Sequence, residues 1–393
     1  MIQSTETFLD KTLANLQQEG LKRSLRQLSG KQGPKITLEG REVLNFCSNN
    51  YLGLAGDERV GQAAIDCVLK EGFGSGASRL VCGNMNAHQE LEKSIAEFKG
   101  AENCLLFSTG YMANVGIISS LFGRDDIIFS DRLNHASIID GVQLSQAKWK
   151  RYPHRDMSVL EEMLKGSRRY RQRCIITDSV FSMDGDYAPL DAIVALAKRH
   201  DCLVMIDEAH ALGVMGEQGK GLAEYFGVEE EIDVQMGTLS KAVGTFGAYC
   251  CGSNRLISYL INKARSFIYT TGLPPSTAAA SLKAIEIIKS EPQRRLKLWE
   301  NTQRACKELN QMGFDTMNSQ TPIIPILVKD SNLAVDFSDR LFKQGIFVSA
   351  IRYPTVPENT ARLRLTVMAT HTEEHMDHVL EQFDRIGKEL CLI

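Results

Sequence analysis

The stretch Cys202-Leu203-Val204-Met205-Ile206-Asp207 is a continuous apolar run that ends in a carboxylate. A strand that is apolar at every position is typical of a parallel sheet with helices on both faces. Similar runs recur at helix-length intervals, at residues 103–107, 126–130, 174–178, 233–237 and 247–252. The pattern predicts an α/β fold with a mostly parallel sheet in a large domain. Ligands of such sheets bind beyond the carboxyl ends of the strands.

The flanking segments predict two further units. Residues 4–28 are polar and amphipathic, with Leu9, Leu13 and Leu16 on one stripe, which indicates a helix that packs on the chain's own core or on a partner. Three strand-like runs and one helix-like run lie near the end of the chain, at residues 323–328, 346–351, 362–367 and 373–388. We therefore expect an N-terminal helical arm over residues 1–45, a large domain over 46–290 and a smaller α+β domain over 291–393.

Composition and charge exclude several classes of function. The 393-residue chain is 43% hydrophobic and 24% charged, which is close to the average for globular proteins. Its formal net charge is -3, with 45 basic and 48 acidic residues. Because no basic excess is present, neither nucleic acid nor an anionic membrane surface is favoured as a partner.

Cysteine usage indicates a reducing compartment. The ten cysteines include no C-x-x-C pair, and several lie in apolar strand-like runs. Free cysteine behaves as a small buried hydrophobe, so reduced core thiols are the simplest interpretation. The first residues lack the basic and apolar regions of a secretion signal, and no run of about 18 apolar residues occurs. We expect a cytoplasmic protein.

Lys241 is the lysine of the small-residue turn Thr238-Leu239-Ser240-Lys241-Ala242-Val243-Gly244, which follows a strand-like run. Only a neutral lysine can form a Schiff base, and desolvation lowers the pKa of an amine because it disfavours the charged form. A Schiff-base lysine would be placed in a turn of this kind. Taken alone, the pattern also fits an ordinary solvated lysine.

Asp207 falls at the carboxyl end of a buried run, and His210 follows it within one turn. A buried carboxylate is costly unless paired, and a protonated pyridine nitrogen is a suitable partner that would hold a pyridoxal ring as an electron sink. His210 could then reach the ring hydroxyl. The alternative is that Asp207 caps the following turn and His210 is a satisfied core histidine.

Two further segments lie at the same kind of position. Residues 107–114 contain a strand end, a Ser-Thr-Gly turn and a helix start, which suit one phosphate group, although an ordinary helix cap is the alternative. His135 follows the strand-like run 126–130 and could stack on a flat cofactor and exchange protons with a substrate; a structural histidine is the alternative. One sheet could bring all four segments into a single cleft.

Two motifs point to other chemistry. Asp207-Glu208-Ala209-His210 matches the DEAH of a class of helicases, but the G-x-x-x-x-G-K-[ST] loop which that chemistry needs does not occur. His371-Thr372-Glu373-Glu374-His375 matches a zinc-protease pattern, and it equally fits a plain helix start. We expect no metal site, and zinc binding through His371 and His375 is the alternative from a different functional class.

Taken together, these segments resemble the α-oxoamine synthases, a family of fold-type I pyridoxal-phosphate enzymes, over nearly the whole chain. The matching stretches are 49–54, 74–79, the Ser-Thr-Gly-Tyr turn, 181–186, the DEAH segment, the Lys241 turn, 269–275, 355–357 and 362–366. Departures are modest, since Tyr353 stands where a proline is common and Ala77 where a second glycine is common. Both departures concern the acyl-chain preference rather than the chemistry.

The resemblance implies pyridoxal 5'-phosphate as the cofactor. It implies that Lys241 holds the cofactor as a Schiff base, that Asp207 pairs with the pyridine nitrogen, and that His135 stacks on the ring. His210 and Ser182 would contact the region of the ring hydroxyl. The phosphate would be held by Gly110, Tyr111 and Thr238.

The resemblance also implies substrate contacts and a homodimer. Arg364 would clamp the carboxylate of the amino acid, with Arg23, Asn49 and Thr355 near the acyl and thioester parts. The strand period places Arg362 and Arg364 on one face and does not by itself choose between them. The active site would lie at the subunit boundary, where segments 74–78 and 269–275 would serve the neighbouring subunit's cofactor.

The member of the family that this chain most resembles condenses L-alanine with a pimeloyl thioester in biotin biosynthesis, releasing CO2 and a thiol. CoA or an acyl carrier protein would deliver the acyl group. Lys241 would also remove the Cα proton, and His135 would donate a proton. A glycine-using relative that makes 2-amino-3-oxobutyrate with acetyl-CoA, or another member of the family, is the alternative within the enzyme class.

Overall fold

The N-terminal part of the chain contains one helix and a small antiparallel meander. The computed structural model describes residues 3–18 and 21–393. The elements of this part are helix α1 (Gln3–Gln18) and strands β1 (Leu28–Ser29), β2 (Lys35–Leu38) and β3 (Arg41–Asn45). The prediction of a helix over residues 4–28 is therefore wrong for residues 21–28, and the three strands lie within residues 28–45 of the expected helical arm.

The physical reason lies in the apolar pattern of this segment. Ile36, Leu38 and Val43 are buried and pack with Phe342 and Phe347 from the C-terminal part of the chain. Ile36 and Leu38 follow the two-residue period of a strand that buries one face. By contrast, the predicted stripe on α1 stays open to solvent, since Leu9 and Leu13 are exposed.

A seven-stranded sheet forms the centre of the large domain. Its strands are β4 (Asn103–Phe107), β5 (Ile127–Asp131), β6 (Lys148–Tyr152), β7 (Arg173–Asp178), β8 (Leu203–Asp207), β9 (Val234–Thr238) and β10 (Ala248–Gly252). They lie in the order β4-β10-β9-β8-β7-β5-β6, and β10 runs antiparallel to both of its neighbours, whereas the other pairs are parallel. The mostly parallel α/β sheet predicted from the apolar runs is confirmed.

All six predicted runs are strands of this sheet, and one strand was not predicted. Strand β6 has the sequence Lys-Trp-Lys-Arg-Tyr and lies at the edge of the sheet. Edge strands commonly carry charged residues that discourage pairing with other chains, so β6 lacks the apolar run that marks the buried strands.

Helices cover both faces of the sheet. They are α2 (Glu58–Glu71), α3 (Asn86–Lys99), α4 (Gly110–Leu121), α5 (Ala136–Ser145), α6 (Met157–Lys165), α7 (Leu190–His200), α8 (Leu222–Phe226), α9 (Asn254–Lys263), α10 (Arg265–Ile268) and α11 (Pro275–Ser290). Along β4, Leu105 and Phe107 enter one core while Cys104 and Leu106 enter the other. Because both faces are buried, the strands inside the sheet are mostly apolar, and polar side chains collect where they end.

The C-terminal part forms a smaller α+β unit. Its elements are α12 (Pro292–Met312), β11 (Ile323–Lys329), α13 (Ser331–Lys343), β12 (Ile346–Phe347), β13 (Ser349–Ile351), β14 (Ala361–Thr366) and α14 (Glu373–Glu389). Strands β11, β14 and β13 form an antiparallel sheet, and β12 instead pairs in parallel with β3. The predicted run 346–351 is thus divided between two sheets. Within the described residues, no helix has both the length and the apolar character needed to cross a bilayer.

Candidate active site

The four segments predicted to converge meet at the carboxyl ends of the central sheet. Lys241 follows β9, Asp207 ends β8, His135 follows β5, and α4 begins at Gly110. All four line one pocket of about 180 Å3. The other lining residues are Tyr111, Asn114, Ser137, Asp178, Ser182, Ala209, His210, Met236, Thr238 and Ser240.

The start of α4 forms one end of this pocket. The Oγ1 atom of Thr109 accepts a hydrogen bond of 3.1 Å from the backbone N–H of Met112 and so caps the helix. The first N–H groups of a helix have no partner inside it, and the helix dipole attracts an anion to them. A Cβ added at Gly110 would lie 3.8 Å from Oγ1 of Thr238, so the two residues are near neighbours. This end of the pocket is suited to a phosphate group.

Lys241 is half-buried beside two carboxylates. Burial lowers the pKa of its ammonium group, although Asp207 and Asp178 act in the opposite direction. The turn that carries Lys241 depends on Gly244, which has a φ of +73° and whose added Cβ would collide with the backbone of Ala55. An amine with a lowered pKa is more readily neutral, which is the form that reacts with a carbonyl.

Asp207 is buried, and both of its carboxylate oxygens accept hydrogen bonds. The Nδ2 atom of Asn114 donates to Oδ2 at 2.8 Å, and the backbone N–H of Ala209 donates to Oδ1 at 2.9 Å. Ser179 holds the backbone of the same residue, because its N–H and its hydroxyl both donate to the Asp207 carbonyl. The bond from Ala209 agrees with a capping role, while the position in the pocket agrees with a partner for a cationic ring nitrogen.

His135 is exposed to solvent in the wall of the pocket, and hydrogen bonds to Asp178 and Ser137 fix its position. Its backbone N–H donates to Oδ2 of Asp178 at 2.7 Å, and its Nδ1 lies 2.7 Å from Oγ of Ser137. Desolvation lowers the pKa of His135, while the charge of Asp207 acts to raise it. Burial and the neighbouring Asp207 raise the pKa of Asp178 well above its usual range.

His210 is paired with a residue to which the sequence analysis assigned no role. Its Nδ1 lies 2.6 Å from the hydroxyl of Tyr51. Burial raises the pKa of Tyr51 to about 12, so the hydroxyl keeps its proton. Oδ1 of Asn49 is 3.4 Å away, so the proton goes to the nearer acceptor, Nδ1 of His210. The pKa of His210 is well below its usual range because of burial and the nearby charge of Lys241. A neutral His210 therefore carries its proton on Nε2, with a fixed tautomer.

The two arginines of β14 are both buried, and they differ in their partners. Arg362 forms an ion pair with Asp184, with 2.8 Å between Nη1 and Oδ1. Among the described residues Arg364 has neutral partners only: Nε donates to the Ser182 carbonyl at 2.6 Å and Nη2 donates to Oδ1 of Asn49 at 3.1 Å. Its third bond, from Nη1 to Oγ1 of Thr366, is also to a neutral group. Arg364 is thus a buried cation without a bonded carboxylate.

The turn that carries Ser182 is clamped by a charged cluster. His154 lies 3.0 Å from Asp131 at the end of β5 and 2.8 Å from Asp186 in the turn. Burial would lower the pKa of His154, but the hydrogen bonds to the two carboxylates outweigh it and raise the pKa to about 9. At neutral pH the imidazolium of His154 therefore links the central sheet to the turn that contains Ser182. The carbonyl of Ser182 in turn accepts from the guanidinium of Arg364.

The remaining predicted substrate residues line a second cavity. Arg23 and Thr355 both line a space of about 580 Å³, whose apolar lining includes Leu13, Leu16 and Leu21. Strand β13 runs from the neighbourhood of Arg364, where Ser349 is paired with it, to the wall of this cavity. Asn49, the third of these predicted residues, does not line this cavity. It accepts a hydrogen bond from Arg364 instead.

The H-x-x-E-H motif does not present free imidazoles. His371 is buried, its Nδ1 accepts from the backbone N–H of Met368 at 3.0 Å, and its Nε2 lies 3.1 Å from the carbonyl of Asn45. Burial lowers the pKa of His371 to about 3. His375 caps the start of α14 together with Thr372. In the described parts of the chain no three His, Cys, Asp or Glu side chains are grouped as a metal site.

Segments 74–78 and 269–275 contact each other rather than the pocket. The hydroxyl of Ser75 donates to the carbonyl of Gly272 at 2.7 Å, and the N–H of Gly272 donates to the carbonyl of Ala77 at 2.9 Å. The apolar residues Phe73, Leu80, Val81 and Tyr269 around this contact are exposed.

Some residues of the site were not singled out from the sequence. Asp178 ends β7 as Asp207 ends β8, so its position at the end of an apolar run was a usable signal. Asn114 lies four residues after Gly110, on the same face of α4, and that spacing could have placed it at the pocket. No local pattern indicates Tyr51 as the partner of His210.

Comparison with known proteins gives full-length matches. The family model described as aminotransferase class I and II matches residues 41–383. An 8-amino-7-oxononanoate synthase from Geobacter sulfurreducens is 50% identical over 383 residues, which cover 97% of this chain and 98% of the relative. A second synthase of that name, from Symbiobacterium thermophilum, is 49% identical over 387 residues and covers 98% of this chain and 99% of its own.

Solved structures match as well. A high-resolution structure of SPT with pyridoxal phosphate is 31% identical, has a TM-score of 0.94 and covers 100% of both chains. The crystal structure of 8-amino-7-oxononanoate synthase from Francisella tularensis is 32% identical, has a TM-score of 0.77 and covers 88% of this chain and 98% of the other.

Proposed function

Because this chain belongs to the class I and II aminotransferase family, and within it to the α-oxoamine synthases, we propose that it condenses L-alanine with a pimeloyl thioester. The products are 8-amino-7-oxononanoate, CO2 and a free thiol, and the reaction belongs to biotin biosynthesis. The observation that carries this proposal is that an amine and a carboxylate, Lys241 and Asp207, line one pocket, while a buried cation bonded only to neutral groups, Arg364, donates to the carbonyl of Ser182 in its wall.

The pocket fits pyridoxal 5'-phosphate, the cofactor of the family and of its fold-type I structural relatives. Lys241 supplies an amine with a lowered pKa, the start of α4 suits the phosphate, and buried Asp207 suits the ring nitrogen. His210 and Ser182 would contact the ring hydroxyl region and His135 the ring face. When bound, the cofactor supplies an electron sink for charge that develops on the amino acid's Cα.

Three residues at or near the pocket would bind the amino acid and move protons. Arg364 would bind the alanine carboxylate with two parallel charge-assisted bonds, because no other carboxylate is bonded to it. Lys241, once released from the cofactor, would remove the Cα proton, for which its lowered pKa suits it. His135 would donate a proton from the exposed edge of its ring.

The reaction balances without a further reactant. A bond forms between the alanine Cα and the thioester carbonyl carbon, and the C–S bond breaks to release the thiol. The bond from Cα to the original carboxylate then breaks to release CO2. A proton returns to Cα, and the amino group stays on the product.

We propose the second cavity as the site of the acyl chain. Leu13, Leu16 and Leu21 offer an apolar wall for a methylene chain, and Arg23 and Thr355 offer polar groups for its ends. Asn49, bonded to Arg364, would lie between the two substrates, near the thioester.

A homodimer and a cytoplasmic location complete the proposal. The exposed apolar residues Phe73, Leu80, Val81 and Tyr269 surround the contact between segments 74–78 and 269–275, and a second copy of the chain would cover them. Those segments would then reach the partner's cofactor. The ten cysteines all lie within the described residues and are unpaired, which agrees with a reducing compartment.

Thiol release tests the substrate assignment directly. With pyridoxal phosphate present, L-alanine and a pimeloyl thioester are expected to give the fastest thiol release, with one CO2 per thiol. The measurement compares alanine with glycine and pimeloyl with acetyl groups, each on CoA and on an acyl carrier protein. Faster turnover of glycine with acetyl-CoA would instead assign the chain to the relatives that make 2-amino-3-oxobutyrate.

Replacing Arg364 by alanine is expected to lower kcat/KM for L-alanine by about 30- to 700-fold, which corresponds to roughly 2–4 kcal/mol, the range of a charge-assisted hydrogen-bonded pair. The loss should appear mainly in KM for alanine, because the thioester does not use this cation. Steady-state kinetics with each substrate varied in turn measures the difference.

Arg362→Ala is the matched control, since Arg362 lies two residues away on the same face and is equally buried. Its removal strands Asp184 and should lower thermal stability, while the ratio of the two substrates' KM values stays near that of the parent. A selective loss for alanine in Arg362→Ala, with normal alanine binding in Arg364→Ala, would show that the carboxylate clamp is misassigned.

A further inference from the structure

A chain of hydrogen bonds joins His135 to Asp207 behind the pocket. Asn114 is buried, and its Nδ2 lies 2.8 Å from Oδ2 of Asp207 and 2.9 Å from Oγ of Ser137. The same Oγ lies 2.7 Å from Nδ1 of His135. Two side chains, Asn114 and Ser137, therefore connect the ring-facing imidazole to the carboxylate at the other side of the pocket.

The direction of each bond follows from the number of hydrogens available. An amide nitrogen carries two hydrogens, so Nδ2 of Asn114 donates one to Asp207 and one to Ser137. The orientation of the amide is settled by charge, because the reverse orientation would place Oδ1 against a carboxylate oxygen. In this orientation Oδ1 of Asn114 is buried without a hydrogen-bond partner in the described structure, which is uncommon for a buried amide oxygen. The Nδ2 atom of the same amide makes both of its hydrogen bonds.

The hydroxyl of Ser137 accepts from Asn114 and has its own hydrogen left to give. The neighbour that can take it is Nδ1 of His135, which also accepts from the backbone N–H of Ser137 at 3.2 Å. Nδ1 is thus an acceptor toward two donors and carries no hydrogen. A neutral His135 must then carry its proton on Nε2, an atom with no hydrogen-bond partner among the described residues.

We propose that Asn114 and Ser137 are positioning residues that hold neutral His135 in the Nε2–H tautomer and orient it relative to Asp207. Without the Ser137 side chain, Nδ1 keeps only the longer bond from the backbone N–H, and without Asn114 the Ser137 hydroxyl is free to accept from Nδ1 instead of donating to it. The lowered pKa of His135 agrees with a neutral ring. The catalytic meaning, that Nε2 is the atom which donates the proton, rests on the proposed function; the tautomer itself does not.

The test reads the tautomer of His135 by 15N NMR of histidine-labelled protein without substrate, with His135→Gln used to assign its signals. In the parent chain we expect an unprotonated Nδ1 and a protonated Nε2. Ser137→Ala and Asn114→Leu are each expected to introduce a measurable fraction of the Nδ1–H tautomer. Ser137→Ala removes one oxygen only, so it keeps the test usable if Asn114→Leu folds poorly.

Asn301→Leu is the matched control. Asn301 is a buried asparagine of the small domain whose Nδ2 donates to the carbonyls of Met368 and His371 at 3.0 Å each. Its replacement removes two buried bonds as Asn114→Leu does, and it should leave the His135 signals unchanged. A parent His135 with its proton on Nδ1, or identical tautomers in the parent and in both relay variants, would overturn the proposal.

A kinetic readout separates this inference from the proposed function. If both are right, Ser137→Ala and Asn114→Leu lower kcat for thiol release by roughly 10- to 100-fold, as the loss of supporting hydrogen bonds around a site commonly does, with little change in KM for alanine. If the chain releases no thiol while the tautomer still shifts, the proposed reaction fails and the positioning role stands.

Discussion

Replacement of Lys241 by alanine is expected to abolish turnover and to remove the point of covalent cofactor attachment. Treatment of the parent enzyme with borohydride should leave the mass of reduced pyridoxal phosphate on the peptide that contains Lys241. The physical reason is the lowered pKa of this amine, which burial produces despite the charges of Asp207 and Asp178. Because Lys241 is also the group proposed to remove the Cα proton, its loss should reduce thiol release by roughly 1,000-fold or more.

Lys220→Ala provides the comparison, because Lys220 is a half-buried lysine in the segment that follows the Asp207 turn. This variant should still gain the reduced cofactor on Lys241 and should release thiol at near the parental rate. Recovery of the adduct on any other lysine of the parent enzyme would contradict the central assignment. Absence of an adduct after reconstitution with the cofactor would do the same.

Asp207→Asn is expected to bind the cofactor yet lose at least about a hundredfold in kcat, the size of effect seen when one preorganised electrostatic group is removed. A neutral amide cannot stabilise a protonated ring nitrogen, so the electron sink is weakened while the phosphate contacts at α4 remain. The structure adds a second effect. Both oxygens of Asp207 accept N–H bonds, from Asn114 and Ala209, so an amide would set its own NH2 against one of these donors.

The matched control for this variant is Asp126→Asn. Asp126 is fully buried at the start of β5, away from the rim, and accepts N–H bonds from Gly123 and Gln172. Its replacement should lower stability through the lost ion pair with Arg171 and leave the cofactor spectrum and kcat unchanged. Near-normal turnover in Asp207→Asn would mean that Asp207 only caps the turn after β8.

The residues at the carboxyl ends of the central strands could be predicted from the sequence, because each of them has a local sequence pattern. Asp207, His135 and Lys241 all follow short apolar runs, and parallel strands end at one edge of a sheet. The order of the strands was not needed for this inference. The small C-terminal domain was accessible for the same reason, except that the run 346–351 is shared by two sheets, which its composition does not reveal.

The N-terminal segment shows where pattern reasoning ends. A stripe of Leu9, Leu13 and Leu16 correctly indicated α1, but the polar pattern extends over residues 21–27, which are not helical. The segment that follows forms strands instead, and one of these strands has its partner near the other end of the chain. Strand β3 pairs with β12, and a contact between residues about 300 positions apart leaves no trace in a local window.

The amino-acid sequence by itself determined the α/β fold, the convergence of Lys241, Asp207 and His135, and the kind of chemistry proposed for these groups. Periodicity and residue type carry that information locally. Only the tertiary structure showed how the two arginines differ, because Arg362 and Arg364 lie on the same face of one strand, and Asp184 forms an ion pair with Arg362 while Arg364 bonds neutral groups. It likewise bears on the tautomers of His135 and His210, because Asn114 holds the Ser137 hydroxyl that faces His135 and Tyr51 faces His210, and hydrogen bonds between distant segments exist only after the chain has folded.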